Sequence, residues 1–248
     1  MGDAIVLAGG GAEPGLDPSV PNKGFLDVGG RPLLAYVVQA VRAAPHVRRV
    51  AVVGPPEAVR AAIGDAVVVP DDGGIMDNVA RAVEVLDARD PVLVAASDIP
   101  LLTGEVVEDF LAACAKDSAD FHYAIVPQQA MEHRFPGVRK TFVRVTEGTY
   151  CGGNVMLFNP AVIDRVRPFV ERVVAARKKP WLLAQLFGWS IVMKFASGRL
   201  SIEEMEAKVT EILGITARAV ILPHPEVAMD VDVGKPENLE LIRGALRA

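Results

Sequence analysis

An apolar run that ends in glycines, followed by a proline-rich loop and only then by a helix, constrains this chain more than any other feature. Ala4–Ala8 (AIVLA) is long enough for a buried strand. Gly9–Asn22 is a loop rich in glycine and proline. Lys23 then leads into Phe25-Leu26 and a turn at Gly29-Gly30-Arg31-Pro32, and helical periodicity begins at Leu33. A strand that ends in bare backbone suits a nucleotide. Glycines let the chain approach phosphates or a base edge, and backbone N–H groups supply donors. Lys23 adds a positive charge at the far end of the same loop.

The pattern then repeats. Leu33–Ala43 reads as an amphipathic helix, Val50–Val53 as a strand, Glu57–Ile63 as a short helix and Ala66–Val69 as a short strand. Asp71-Asp72-Gly73-Gly74 is a turn before a helix over Met76–Leu86. Val92–Ala96 is a buried strand that stops at Ser97-Asp98-Ile99-Pro100, and Thr103 caps a helix over Gly104–Lys116. Such alternation predicts an α/β fold with a mainly parallel sheet and helices on both faces. Phe121–Val126, Thr141–Val145 and Gly153–Phe158 read as further strands, which makes the sheet mixed. Three helices follow, over Pro160–Lys178, Trp181–Phe195 and Ser201–Leu213, the last opened by a Ser201/Glu204 capping box. Ala219–Leu222 is a last strand and Pro236–Arg247 a closing helix. The expectation is one domain over 1–248, with 160–213 as a helical insertion or lid within it.

Composition removes several classes. The net charge of −5, from 26 basic and 31 acidic residues, excludes a broad nucleic-acid-binding surface. Cys114 and Cys151 are too few for a disulfide framework or a cysteine zinc site. The four histidines are scattered and receive no role. The start directly on a strand and the lack of a long apolar run point to a cytoplasmic protein without a membrane partner. The sequence leaves a homodimer open.

Several residues carry chemistry. Gly9, Gly11 and Gly15 match GxGxxxG after a strand. A dinucleotide reading is set aside, because Pro14, Pro18 and Pro21 postpone the helix to Leu33, whereas that motif needs a helix N-terminus at the pyrophosphate. Asp98 stands at a strand end, where ligands of open α/β sheets collect, and a carboxylate there suits Mg2+; a turn aspartate before Pro100 is the plainer alternative. In MDVDVGKPENL, Asp230 and Asp232 point the same way if extended, and one of them with Asp98 would clamp Mg2+. Gly73-Gly74 with Asn78 offers donors for a base or ribose, and Asp71 or Asp72 could accept from a guanine edge. Asn154, beside Gly152-Gly153, suits a substrate hydroxyl or phosphate. Arg139-Lys140 and Arg177-Lys178-Lys179 are basic clusters able to hold an acceptor phosphate, and a solvated face explains them as well. Trp181 and Trp189 are expected in the core.

LAGG, Asn22–Leu33 (NKGFLDVGGRPL), SDIPLLT at Ser97–Thr103, and DVDVGKPENL together resemble the MobA-like NTP transferases. That group includes molybdenum-cofactor guanylyltransferase and, more distantly, sugar-phosphate and cytidylyl transferases. The resemblance implies a GT-A-like sheet and nucleotidyl transfer from an NTP to a small-molecule acceptor, with release of pyrophosphate. Leu7, Ala8, Gly9, Gly10 and Gly11 would line the base and phosphate site, together with Gly74 and Asn78. Lys23 would stabilise phosphate charge, Asp98 would be the Mg2+ ligand, and Asp232 a second ligand or substrate contact. Asn154, Arg139 and Lys178 are the acceptor candidates. One departure stands out: the glycine loop lacks the arginine that family members commonly carry, with no basic residue before Lys23. Either catalysis is weakened by that loss, or Arg139, Lys178 or Lys179 supplies the charge from elsewhere. The departure also keeps open a regulator that binds a nucleotide or sugar without turnover, and Asp230-Val231-Asp232, which resembles a DxD metal motif, keeps open a GT-A glycosyltransferase.

Overall fold

The computed structural model describes residues 2–11, 15–176, 182, 186–232 and 234–247. Strand β1 (Gly2–Leu7) is the centre of the sheet, pairing in parallel with β4 (Val47–Val53) and β6 (Val92–Ala96). Beyond β4 lies β5 (Val67–Val69), also parallel. On the other flank, β9 (Gly148–Phe158) runs antiparallel between β6 and β7 (Phe121–Pro127), and β10 (Ala217–Ile221) closes that edge. A short β8 (Val143–Val145) pairs with the start of β9. The spatial order is β10-β7-β9-β6-β1-β4-β5. This is the mixed, mainly parallel α/β sheet that the sequence pattern predicts.

Alternation along β1 explains why helices cover both faces. Ala4 and Val6 join a core with Leu33, Leu34, Val37 and Val41 of α1 (Leu33–Ala43), Phe110 of α4 (Gly104–Cys114) and Ile242 of α9 (Pro236–Arg247). Ile5 faces the other way, into a core with Val79, Ala82 and Leu86 of α3 (Ile75–Leu86). Helix α2 (Pro56–Ile63) links β4 to β5. The tiny hairpin of β2 (Asp27–Val28) and β3 (Arg31–Pro32) turns through Gly29 and Gly30, whose φ of 69° and 82° only glycine adopts readily. Leu33 starts α1 where the sequence places it.

Three details differ from the sequence expectation. Strand β9 extends back to Gly148 instead of starting at Gly153, and its register against β7 slips at Gly153-Asn154-Val155, between the Tyr123–Met156 and Ile125–Gly152 pairs. A seven-residue helix, α5 (Gln128–Arg134), follows β7 directly and has no side-chain cap to betray it. Trp189 is 65% exposed on α7 (Trp189–Ala196) and serves no core, while Trp181 lies outside the described residues. In the 160–213 stretch, α6 (Ile163–Ala176) packs against α3, with Arg167 paired to Asp77, and α8 (Ile202–Leu213) packs against β10. No helix among the described residues is long and apolar enough to cross a membrane.

Asp3 pins the central strand to its neighbour. Its carboxylate accepts from Arg49 Nη2 at 2.6 Å and from Arg48 Nη2 at 3.1 Å, and its side chain is only 2% exposed. Burial pushes this carboxyl up, but the two guanidinium groups outweigh burial and hold it below the usual range. Its stabilising contribution is therefore present above its unfolded value of about 3.9 and fades as pH falls through the lower folded value. Asp3→Ala is expected to cost ~1–2 kcal/mol in urea unfolding at pH 7. That gap should narrow below pH 4, and an equal gap at both pH values would contradict it.

Candidate active site

The carboxyl ends of β1, β4 and β6 meet at one edge of the sheet. Ala8 N–H donates to Val53 O at 2.7 Å and Ser97 N–H to Leu7 O at 3.1 Å, so the three strands leave together. Above β1 and β4, Leu7, Gly9, Gly10, Gly11, Val53, Asp71, Gly73, Ile75 and Asn78 line a crevice of about 360 Å³. Of the residues expected at a nucleotide, Leu7, Gly9, Gly10, Gly11 and Asn78 share this wall. Ala8 lies buried beneath it, and Gly74 opens helix α3, its N–H donating to Asp77 Oδ2 at 3.2 Å.

Asn22 shapes the loop. Its amide Nδ2 donates to Ala8 O at 2.9 Å and Gly10 O at 3.3 Å, and its Oδ1 accepts from Gly24 N–H at 3.0 Å. One buried side chain thus ties the end of β1 to the single helical turn Lys23–Phe25. Asp71 braces the other wall: Oδ2 accepts from Gly10 N–H at 2.6 Å, and Oδ1 accepts from Asn78 Nδ2. Asn78 acts on the crevice through Asp71, because its own Oδ1 accepts from Asp72 N–H and Arg81. A Cβ added at Gly9 would lie 2.6 Å from the Asp71 carboxyl. Gly9→Ala must therefore displace Asp71 and free Gly10. It is expected to weaken nucleotide binding about tenfold, ~1.4 kcal/mol, by calorimetry; unchanged affinity would contradict the placement.

Lys23 and Asp98 converge. Lys23 Nζ sits 2.7 Å from Asp98 Oδ2 at the end of β6, with side-chain exposures of 31% and 6%. The second oxygen, Asp98 Oδ1, is buried with no hydrogen-bond partner among the described residues. Burial pushes the Asp98 carboxyl up, Lys23 pulls it down less strongly, and the charge of Asp230 adds to the rise. Asp232 lies within reach of the Lys23 charge. The hydrogen bond from Lys235, then Gly234 N–H and the ammonium groups of Lys235 and Lys23, hold its carboxyl low against burial. Val231 N–H donates to Asp98 O at 2.9 Å, which locks the Asp230–Asp232 segment beside the β6 end.

The remaining residues fall on the β7–β9 side. Asn154 Nδ2 donates to Val227 O at 3.3 Å and so helps to hold the turn at Pro225–Ala228. Arg139 is clamped through its backbone by Asn238, and its exposed guanidinium reaches Glu237 at 3.5 Å. Lys140 pairs with Asp230. Lys178, Lys179 and the loop residues Ala12–Pro14 lie outside the described residues. Both cysteines are buried, and burial pushes the Cys114 thiol up to about 12.

A Mg2+ ion fits the donors present. No group of three or more His, Cys, Asp or Glu side chains converges among the described residues. Mg2+ does not require one, since it is commonly held by one or two carboxylates together with substrate phosphates and water. The orphaned Asp98 Oδ1 is a donor of that kind.

A glycine-lined crevice lies beside an ammonium–carboxylate pair at the strand ends of a mixed sheet, an arrangement that suits a nucleotide. The family comparison agrees: the MobA-like NTP transferase domain matches residues 4–178, and the chain belongs to that family. A hypothetical transferase structure from Thermus thermophilus is 39% identical, with a TM-score of 0.84, over 93% of this chain and 96% of that one. The structure of CMP:2-keto-3-deoxy-manno-octonic acid synthetase complexed with CTP shares the fold at 16% identity, with a TM-score of 0.63, over 99% and 98% of the two chains. None of the curated protein sequences matches.

Proposed function

We propose that this protein is a Mg2+-dependent nucleotidyltransferase that moves an NMP from an NTP to a phosphate or hydroxyl oxygen of a small-molecule acceptor, releasing pyrophosphate. The observation that carries the reading is Asp98: a buried carboxylate with one oxygen on Lys23 and the other unpartnered among the described residues, at the strand end beside the crevice. Leaving a charged oxygen unsatisfied is costly unless a ligand completes it.

The base enters the crevice of Leu7, Gly9 and Val53, against the floor braced by Asp71. The triphosphate runs along the glycine loop toward Lys23. Asp98, with Asp232 as second carboxylate, holds Mg2+, which when bound neutralises phosphate charge and orients the α-phosphate. Lys23 donates to phosphate oxygens as charge builds on the leaving pyrophosphate. The acceptor oxygen attacks the α-phosphorus in line, its bond forming as the bond to the bridging pyrophosphate oxygen breaks. Positioning and charge neutralisation supply most of the rate.

The test is pyrophosphate release with each of the four NTPs and Mg2+ against a panel of phosphorylated and hydroxyl acceptors. Release with one base and one acceptor class supports the reading. Tight NTP binding without turnover across the panel would favour the regulator, for which the missing loop arginine is the argument. Hydrolysis of a nucleotide-sugar without reaction on free NTP would favour the glycosyltransferase.

A further inference from the structure

On the far side of Asp98 from the glycine crevice, a second ammonium–carboxylate pair is built into the fold. Lys140 Nζ contacts Asp230 Oδ1, with side-chain exposures of only 11% and 22%. The pair is held from two directions. Asn238, itself buried, grips the backbone beside Lys140: its Oδ1 accepts from Arg139 N–H at 3.0 Å and its Nδ2 donates to Arg139 O at 3.0 Å. From the other side, Val231 N–H on Asp98 O fixes the carboxylate partner next to the β6 end.

Strand β6 pairs with the later part of β9, ending at Ala95 opposite Val155, and β8, which starts three residues after Lys140, pairs with the beginning of the same strand, Val143 opposite Tyr150. Neighbouring Cys151 feels the Lys140 charge. Lys140 therefore stands on the β9 side of Asp98, whereas the glycine loop and Lys23 stand on the β1 side. In-line displacement places the attacking oxygen opposite the leaving pyrophosphate. If the pyrophosphate lies against Lys23, the nucleophile arrives from the side of Lys140. An ammonium has three donors, and Asp230 Oδ1 accepts one.

We propose that Lys140, fixed by Asn238 and Asp230, is the binding residue for an anionic group of the acceptor, a phosphate or a carboxylate. This rests on the nucleotidyltransferase reading for its meaning, but it assigns an anion subsite that is measurable without any nucleotide. It makes Lys140, rather than Arg139, the working cation of that cluster, because the Arg139 guanidinium is 69% exposed and turned to Glu237.

The test uses the full-length protein with inorganic phosphate and acetate as probes, followed by calorimetry and by 31P line broadening for phosphate. Wild type, Lys140→Met, Lys140→Arg and Lys208→Met, a surface control, are compared. Binding of one probe is expected to weaken at least tenfold in Lys140→Met and to persist in Lys140→Arg and Lys208→Met. The probe that shows this dependence tells phosphate from carboxylate. Mg2+·NTP affinity should stay within twofold in Lys140→Met while falling in Lys23→Met. Anion binding that is equal in all variants, or absent from the wild type, overturns the proposal. So does a Lys140→Met loss that falls equally on the nucleotide. If no NTP binds any variant while phosphate still depends on Lys140, the nucleotide reading fails and the anion subsite stands.

Discussion

Asp98→Ala is expected to lower the rate of pyrophosphate release about 100- to 1000-fold, ~2.7–4 kcal/mol of barrier, by removing one preorganised electrostatic contact. The folded protein should not suffer. In the absence of Mg2+ the carboxyl of Asp98 is raised by burial more than Lys23 lowers it. A group with a raised folded value contributes stability below its unfolded value and loses it as pH rises through the raised one. At neutral pH an uncharged replacement is therefore expected to leave the melting temperature unchanged or higher. Mg2+ with NTP should raise the melting temperature of the wild type and not of Asp98→Ala. A variant that melts early and loses activity in proportion would make Asp98 structural.

Lys23→Ala should cost a similar factor in rate, about 100- to 1000-fold, since it removes the cation that meets the leaving pyrophosphate. Its effect on stability should have the opposite sign. Deleting Asp98 leaves Lys23 31% exposed and within reach of the Asp232 charge, but deleting Lys23 strands a carboxylate that is 4% exposed. Lys23→Ala is expected to destabilise the ligand-free protein, and to shift the acid limb of its residual activity to higher pH, because Lys23 lowers the Asp98 carboxyl. The double variant should lose far less than the product of the two single losses, since the pair acts as a unit. Fully multiplicative losses, with no shift of the acid limb, would show that the two groups work apart.

The parts of this molecule that sequence makes legible are those encoded locally. Leu33 begins a helix because apolar residues recur at helical spacing right after Pro32, and Val92–Ala96 is a strand because it is short, apolar and stopped by a turn. Lys23 and Asp98 were separately readable, one by its loop and one by its strand end; the parallel pairing of β1 with β6 then brings them together.

What escaped the sequence depends on distance along the chain. The bidentate grip of Asn238 on Arg139 spans 99 residues and leaves no local trace. Asp71 could be seen as a carboxylate in a turn, but not that both of its oxygens are engaged, by Gly10 N–H and Asn78. Asn22 looked like part of a motif; its work, tying two backbone carbonyls of the loop to the following turn, is visible only in three dimensions. The basic pair Arg139-Lys140 divides: one side chain turns outward to Glu237, the other inward to Asp230. Composition treats the two alike, and only the fold separates them.

The most direct test of the account is a crystal structure with Mg2+ and a non-hydrolysable NTP analogue. The expected result is the base in the crevice of Leu7, Val53 and Asp71, Lys23 on the phosphates, and Asp98 Oδ1 about 2.1 Å from the metal. A triphosphate bound elsewhere, or a metal that leaves Asp98 Oδ1 unliganded, would contradict it.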